Sequence, residues 1–405
     1  MSSKETEQQP RAGFLGLNPV VRTRSVAFLC TAIFLFWMSL YVFVPILPVY
    51  AESLGASLSM VGVVVSSYAI AQLVLRIPLG IWADAMGRRM PIIVLGFVSA
   101  AAGALMLGLA PSPWFLFGGR TITGVAGATW VAFSVFFVAY FPRRQTAQAM
   151  GIVSAINGAG IVLASLLGGY VAQTWQSQTA FFVGAGLAVA AMPLLFLTPE
   201  ARLEQQRFSY KGFVKMPGFK MLILVSAICI LGQFVVQGTS LGFVPIHGDR
   251  IGASRAQLGH ITTVLFGTSV LGSLAAMYIV RKLGHSTALA LSFAVMAGAF
   301  IWVPFIKSVP LLIVSQGLVG VGRGLFYPVL MALSIQEVPS SARSTAMGVF
   351  QSLYAIGMLV GPLVLGFLAD GLGLDSVFYV SAALCVVGGI SSFAPAIWRM
   401  RGRVA

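Results

Sequence analysis

Acidic residues are scarce in this chain. Ten Asp and Glu stand against 25 Lys and Arg in 405 residues, and charged residues of both signs make up only 9%. None of the acids lies near the middle of an apolar run; all sit in loops, tails or the ends of runs. Cysteine is also rare. Cys30, Cys229 and Cys385 are far apart and each lies inside an apolar run, which excludes a disulfide framework and a metal cluster and leaves small packing residues. There is no GxxxxGK[ST] loop, so ATP hydrolysis is not expected. No Ser/His/Asp set or HExxH motif is present, so the reading is a protein that is not an enzyme, with no cofactor and no metal site. The first 24 residues are polar, with Glu5, Glu7, Arg11, Arg22 and Arg24, and lack the short apolar region of a cleaved secretory signal.

What the chain has in excess is apolar surface. Hydrophobic residues make up 58% of the sequence, more than a soluble protein of this size could cover. Apolar runs recur at 25–50, 58–83, 90–110, 113–140, 147–173, 178–198, 219–245, 256–282, 286–306, 309–335, 342–370 and 375–397. Each is long enough to cross a hydrocarbon core of about 30 Å. The basic residues alternate between sides. With both termini inside, inner segments hold 19 Lys or Arg and outer segments three, Arg250, Arg255 and Lys307. The positive-inside rule then places both termini in the cytoplasm. The net charge of +15 is thereby a topology signal facing anionic headgroups rather than a nucleic-acid surface. The expected organisation is a cytoplasmic tail at 1–24, a six-helix bundle at 25–198, a cytoplasmic linker at 199–218, a second bundle at 219–397 and a tail at 398–405. The linker, basic with Phe208 and Phe213 interleaved, reads as a connection at the inner surface or a lipid-binding segment.

The halves repeat at an offset of 197 residues. Pro48 and Gly55-Ala56-Ser57 match Pro245 and Gly252-Ala253-Ser254; Glu52 matches Asp249, Gly87 matches Gly284, and Pro142 with Ala149-Met150-Gly151 matches Pro339 with Ala346-Met347-Gly348. An even number of spans per copy gives a parallel repeat, with a substrate site expected between the copies near the midplane. The fold class is therefore an all-α integral membrane protein of twelve transmembrane helices in two parallel-repeat six-helix bundles.

Between the second and third spans stands Gly80-Ile81-Trp82-Ala83-Asp84-Ala85-Met86-Gly87-Arg88-Arg89. Its spacing resembles the loop between the second and third helices of the major facilitator superfamily. The resemblance implies a conformational latch in which Gly80 allows close helix approach, Asp84 faces a helix N-terminus or an arginine, Gly87 permits a tight turn, and Arg88 and Arg89 supply partners. The second half lacks it, with Arg281 and His285 at the equivalent positions of Asp84 and Arg88. Arg120-Thr121-Ile122-Thr123-Gly124 resembles the family's fourth-helix motif, whose arginine faces the central cavity, and, with the fifth-helix run below, it favours the drug-efflux branch. Arg120, Gly124 and Gly127 share one helix face by their spacing, and an arginine buried in a membrane is costly and usually functional. The fifth-helix run from Gly158-Ala159-Gly160 to Gly168-Gly169 resembles the glycine-rich antiporter motif, although Ala164-Ser165 replaces its central Gly-Pro. Gly357 and Gly361-Pro362 carry the counterpart in the eleventh helix.

Polar stripes complete the pattern. Trp37 and Tyr41 share a face of the first helix; Tyr68, Gln72 and Arg76 of the second; Gln233, Gln237 and Ser240 of the seventh; Gln316, Gly320, Arg323 and Tyr327 of the tenth. Polar groups facing lipid would go unsatisfied, so these stripes should face the interior, either around a cavity or as hydrogen-bonding glue between helices. With Arg120 and Trp130 they are the expected cavity residues, the family lining its cavity with the first, fourth, seventh and tenth helices. Glu52, Asp84 and His260 are the candidate coupling groups, His260 being equally readable as a packing residue. The resemblance implies a secondary transporter, proton-coupled and exporting a small amphipathic or anionic solute by alternating access. A uniporter or symporter for organic anions, a flippase for lipid-linked head groups, and a membrane receptor or enzyme remain open. Expected partners are the solute, the lipid bilayer and protons, with the chain acting as a monomer.

Overall fold

A computed structural model describes residues 19–142, 145–200, 217–339 and 342–394. Most of both tails and of the expected linker lie outside the described residues, as does the side chain of Asp84. With no water in the hydrocarbon core, a spanning segment must satisfy its own backbone. The regular structure of the described residues is accordingly all helical, without a strand.

The first span is not the single helix expected over 25–50. Helix α1 (Pro19–Tyr41) begins six residues earlier, turns at 42–46 and resumes as the short α2 (Leu47–Ser53). Then come α3 (Leu58–Met86) and α4 (Met90–Gly108), a fourth span made of α5 (Pro113–Ala128) and α6 (Trp130–Val138), and α7 (Thr146–Thr174) and α8 (Ser177–Phe196). The second half opens with α9 (Phe219–Val235), a π-helical stretch Val236–Phe243 and α10 (Val244–Arg250). It continues through α11 (Arg255–Leu283), α12 (His285–Trp302), α13 (Val309–Gln336), α14 (Arg343–Leu372) and α15 (Asp375–Ser391). Among the described residues eleven spans are long and apolar enough to cross a membrane; α15, at 17 residues, is a shorter apolar helix.

The 197-residue offset reappears in the backbone. The starts of α2 and α10, of α3 and α11, and of α7 and α14 are separated by that interval. The turn that breaks the first span falls where the second copy is π-helical. Gly55 and Gly252 both adopt left-handed φ, +85° and +88°, and so do Gly87 and Gly284, at +62° and +84°. Glycine is there because a side chain resists that region.

The halves meet along two helix pairs, α3 with α14 and α7 with α11. A Cβ on Gly169 of α7 would lie 2.8 Å from the Gly259 Cα of α11. Gly62 of α3 presses on the backbone of Pro362 and Gly366 in α14. Small residues permit this approach, which the absence of a hydrophobic drive between helices in lipid makes the natural way to associate. The pairs diverge toward the other end of the bundle, the basic end. Midway along α7 the nearest atom to a Cβ on Gly158 would be in Val270 at 3.9 Å, and toward the basic end Gly80 has open space around it. The close approach expected of Gly80 is therefore not made in this conformation, while Gly158 stands in ordinary van der Waals contact with Val270.

Candidate functional site

Between the shut end and the basic end lies a cavity of about 170 Å³ formed by both halves. Trp37 and Tyr41 of α1, Tyr68, Gln72 and Arg76 of α3, and Trp130 of α6 line it from the first half. Gln233, Gln237, Arg323 and Tyr327 line it from the second. Gln237 belongs to the π-helical stretch, where the altered winding shifts its side chain around the helix. Five further lining residues escaped the sequence reading: Asn157 and Ile161 of α7, and Gln351, Tyr354 and Met358 of α14. Their helical spacings were there to read, but only Gln351 and Asn157 carry an amide and none is charged, so nothing distinguished them from packing residues.

Arginine dominates the polar side of this cavity. Arg76 donates through Nη1 to the Gln351 carbonyl, 3.2 Å away across the two halves, and through Nη2 to Gln72 Oε1. Arg323 Nη1 donates to Ser269 Oγ at 2.8 Å, and its guanidinium stands 5.1 Å over the Phe266 ring and 5.7 Å over Tyr327. The aromatic wall packs edge to face, Trp37 against Trp130 at 5.0 Å and Tyr327 against Tyr354 at 6.0 Å.

Arg120 does not line this cavity. It sits in a much smaller adjoining pocket with Val44, Leu47 and Pro48, behind Tyr68, Gln237 and Met358, which border both spaces. Its guanidinium stacks 4.3 Å over Tyr68 and 5.7 Å from Phe43. Gly124 and Gly127 bring that helix against Tyr68: a Cβ on Gly127 would lie 2.6 Å from the phenol oxygen. Gly160, Gly168, Gly357 and Gly361 likewise abut backbone carbonyls of a neighbouring span, those of Phe34, Val42, Ile230 and Phe234.

The shut end is tied by polar contacts between halves. Asp370, near the C-terminus of α14, accepts from the Leu58 and Ser59 backbone N–H groups at 3.0 and 2.9 Å, capping α3. Glu52 of α2 lies 3.5 Å from Arg250 of α10. Burial raises the Glu52 carboxyl above the ordinary carboxylate range, and Arg250 only partly opposes this. Gln173 accepts from the Arg255 N–H at 3.0 Å, and His260 lies 3.1 Å from the Tyr170 hydroxyl. Thus Glu52 and His260 belong to the closure and not to the cavity. At the basic end, Arg88 pairs with Glu200 at 2.9 Å, and the other Glu200 oxygen accepts from the N–H groups of Arg89 and Met90 at 2.7 and 2.8 Å. Glu200 follows the last helix of the same half as that loop, at the start of the segment expected to be the linker.

Twin helical repeats around a shared, shut-ended cavity define the architecture of a membrane transporter. A family model described as Major Facilitator Superfamily matches residues 29–250 and 222–404, so the chain belongs to that superfamily. It is 24% identical over 361 residues to an uncharacterized MFS-type transporter of Methanocaldococcus jannaschii, covering 86% of this chain and 92% of the relative. It is 26% identical over 371 residues to the class E tetracycline resistance protein of Escherichia coli, covering 85% and 88%. The crystal structure of the nucleoside transporter NupG superposes with a TM-score of 0.74 at 16% identity, covering 94% of this chain and 99% of that one.

Proposed function

We propose that this multi-pass membrane protein carries a small amphipathic or anionic solute by alternating access and exports it in exchange for protons. The observation that carries the reading is the cavity shared by both halves, with Asp370, Glu52 and Gly169–Gly259 contacts shutting one end while the helix pairs diverge at the other. Relatives that include tetracycline resistance proteins support export. The basic end faces the cytoplasm of a plasma or inner membrane, which makes the present form inward-facing. In the opposite form the loop of Gly80, Asp84, Gly87, Arg88 and Arg89 latches the basic end. The chain acts as a monomer, within the lipid bilayer, and the cycle involves no bond-making step.

Among the described residues no Asp or Glu lines the cavity, and this favours a second reading, a uniporter for organic anions. Solute flux into proteoliposomes, with and without an imposed pH gradient, separates the two. Flux that follows the gradient supports proton-coupled exchange. Flux indifferent to it leaves uniport, and absence of flux for every solute overturns the transport reading.

A further inference from the structure

The charge and shape of the cavity narrow what it can hold, granted that it is the transport site. Aromatic cages commonly take cations, because the faces of the rings are negative. Here two of the rings that line the cavity, Tyr68 and Tyr327, already meet the protein's own cations. Arg323 covers Phe266 and Tyr327, and Arg120 covers Tyr68. Trp37 and Trp130 meet edge to face, which takes up one face of the pair. No carboxylate lines the space to balance Arg76 and Arg323.

Three donors in the wall are buried without a hydrogen-bond partner: Trp37 Nε1, Gln72 Nε2 and Arg76 Nε. Their residues are only 8%, 4% and 6% exposed. One acceptor, Gln351 Oε1, is unpartnered beside them. A buried polar group left unpaired is costly, so a guest bearing acceptors gains when these side chains turn to meet it. The volume admits a single ring. A cavity of about 150 Å³ accommodates a benzene ring, and this one measures about 170 Å³.

We propose that the cavity selects a single-ring aromatic anion, an arene carboxylate of about the size of benzoate. Its ring packs among Trp37, Trp130 and Tyr354, and its carboxylate takes the donors of Gln72, Arg76 and Arg323.

Equilibrium binding to the purified full-length protein in lipid nanodiscs tests this with benzoate, benzamide and benzylamine, which share a ring and differ in charge. Benzoate should bind at least tenfold more tightly than either of the others, and more tightly than the three-ring 9-anthracenecarboxylate. Arg323→Gln should bring benzoate and benzamide to near-equal affinity, and Arg323→Lys should retain part of the preference, since it keeps the charge and loses the planar fork. Because the comparison of ligands on the wild-type protein needs no variant, a misfolded variant does not obscure the outcome. Equal or tighter binding of benzylamine or benzamide overturns the proposal, as does failure of all three to bind. If that happens while the proteoliposomes still transport another solute, the substrate class fails and the transport reading stands. The ordered preference without flux of any solute would instead keep the site and sink the transport reading.

Discussion

At the scale of single residues, what matters is how charge is held away from water. Arg120, Arg323 and Arg76 lie about 10, 21 and 27 Å along their helices from the shut end at a rise of ~1.5 Å per residue, so they are staggered in depth. Such charges are costly in hydrocarbon. Arg120 and Arg323 are offset by ring faces, while Arg76 and Arg323 also hydrogen-bond neighbouring side chains. At the shut end burial raises the Glu52 carboxyl. Its partner Arg250 and the nearby Asp249 are the charges that face it. Because its carboxyl is raised in the shut form above the value it would take in water, the shut form binds a proton more tightly. Lowering pH through that raised value should therefore favour closure, the sign an exporter needs if an outside proton drives the return to the inward-facing form. Accessibility of a cysteine placed at Ser53, measured against pH, should fall on acidification, and Glu52→Gln should remove that dependence. A fall that persists in Glu52→Gln would assign the titration to another group.

At the scale of elements, α3 and α14 run antiparallel, and each ends near a carboxylate, Asp84 and Asp370. In this form Asp370 caps the first turn of α3, adding a fixed negative charge to exposed N–H donors at the positive end of that helix. Removing a cap typically costs about 1 kcal/mol, roughly fivefold in an equilibrium. Asp370→Ala should therefore increase labelling of a cysteine at the shut end by about that factor, with protein amount in the membrane unchanged. Unaltered labelling would make the cap incidental to closure. Asp84→Asn should act oppositely, removing the carboxylate proposed to latch the basic end and favouring the present form in crosslinking across that end. Crosslinking equal to wild type would reduce the Asp84 loop to a topology signal.

For the whole molecule, the orientation proposed from charge is open to a direct check. With the basic end in the cytoplasm, a membrane-impermeant maleimide applied to cells should label Ser308→Cys and spare Lys282→Cys, above the background of native Cys30, Cys229 and Cys385. The reverse pattern would invert the topology. Much of the architecture could be read in advance because a bilayer permits few solutions. Apolar length, alternation of basic loops and the 197-residue repeat all act locally along the chain, and they lead to twin helical bundles whatever the side-chain packing. The helix faces of Tyr68, Gln72 and Arg76, or of Arg323 and Tyr327, were legible for the same reason: polar groups on an apolar helix must turn inward. Tertiary structure alone decided which inward-facing groups share one space. Arg120 looks from its motif like a cavity residue, yet Tyr68 stands between it and the main cavity. Gln351 and Tyr354 look like packing residues, yet they complete the wall. Their placement depends on how two halves, far apart in sequence, are tilted against each other. That tilt is set by close glycine contacts and by inter-half pairs such as Asp370 with the start of α3, interactions that no local pattern encodes.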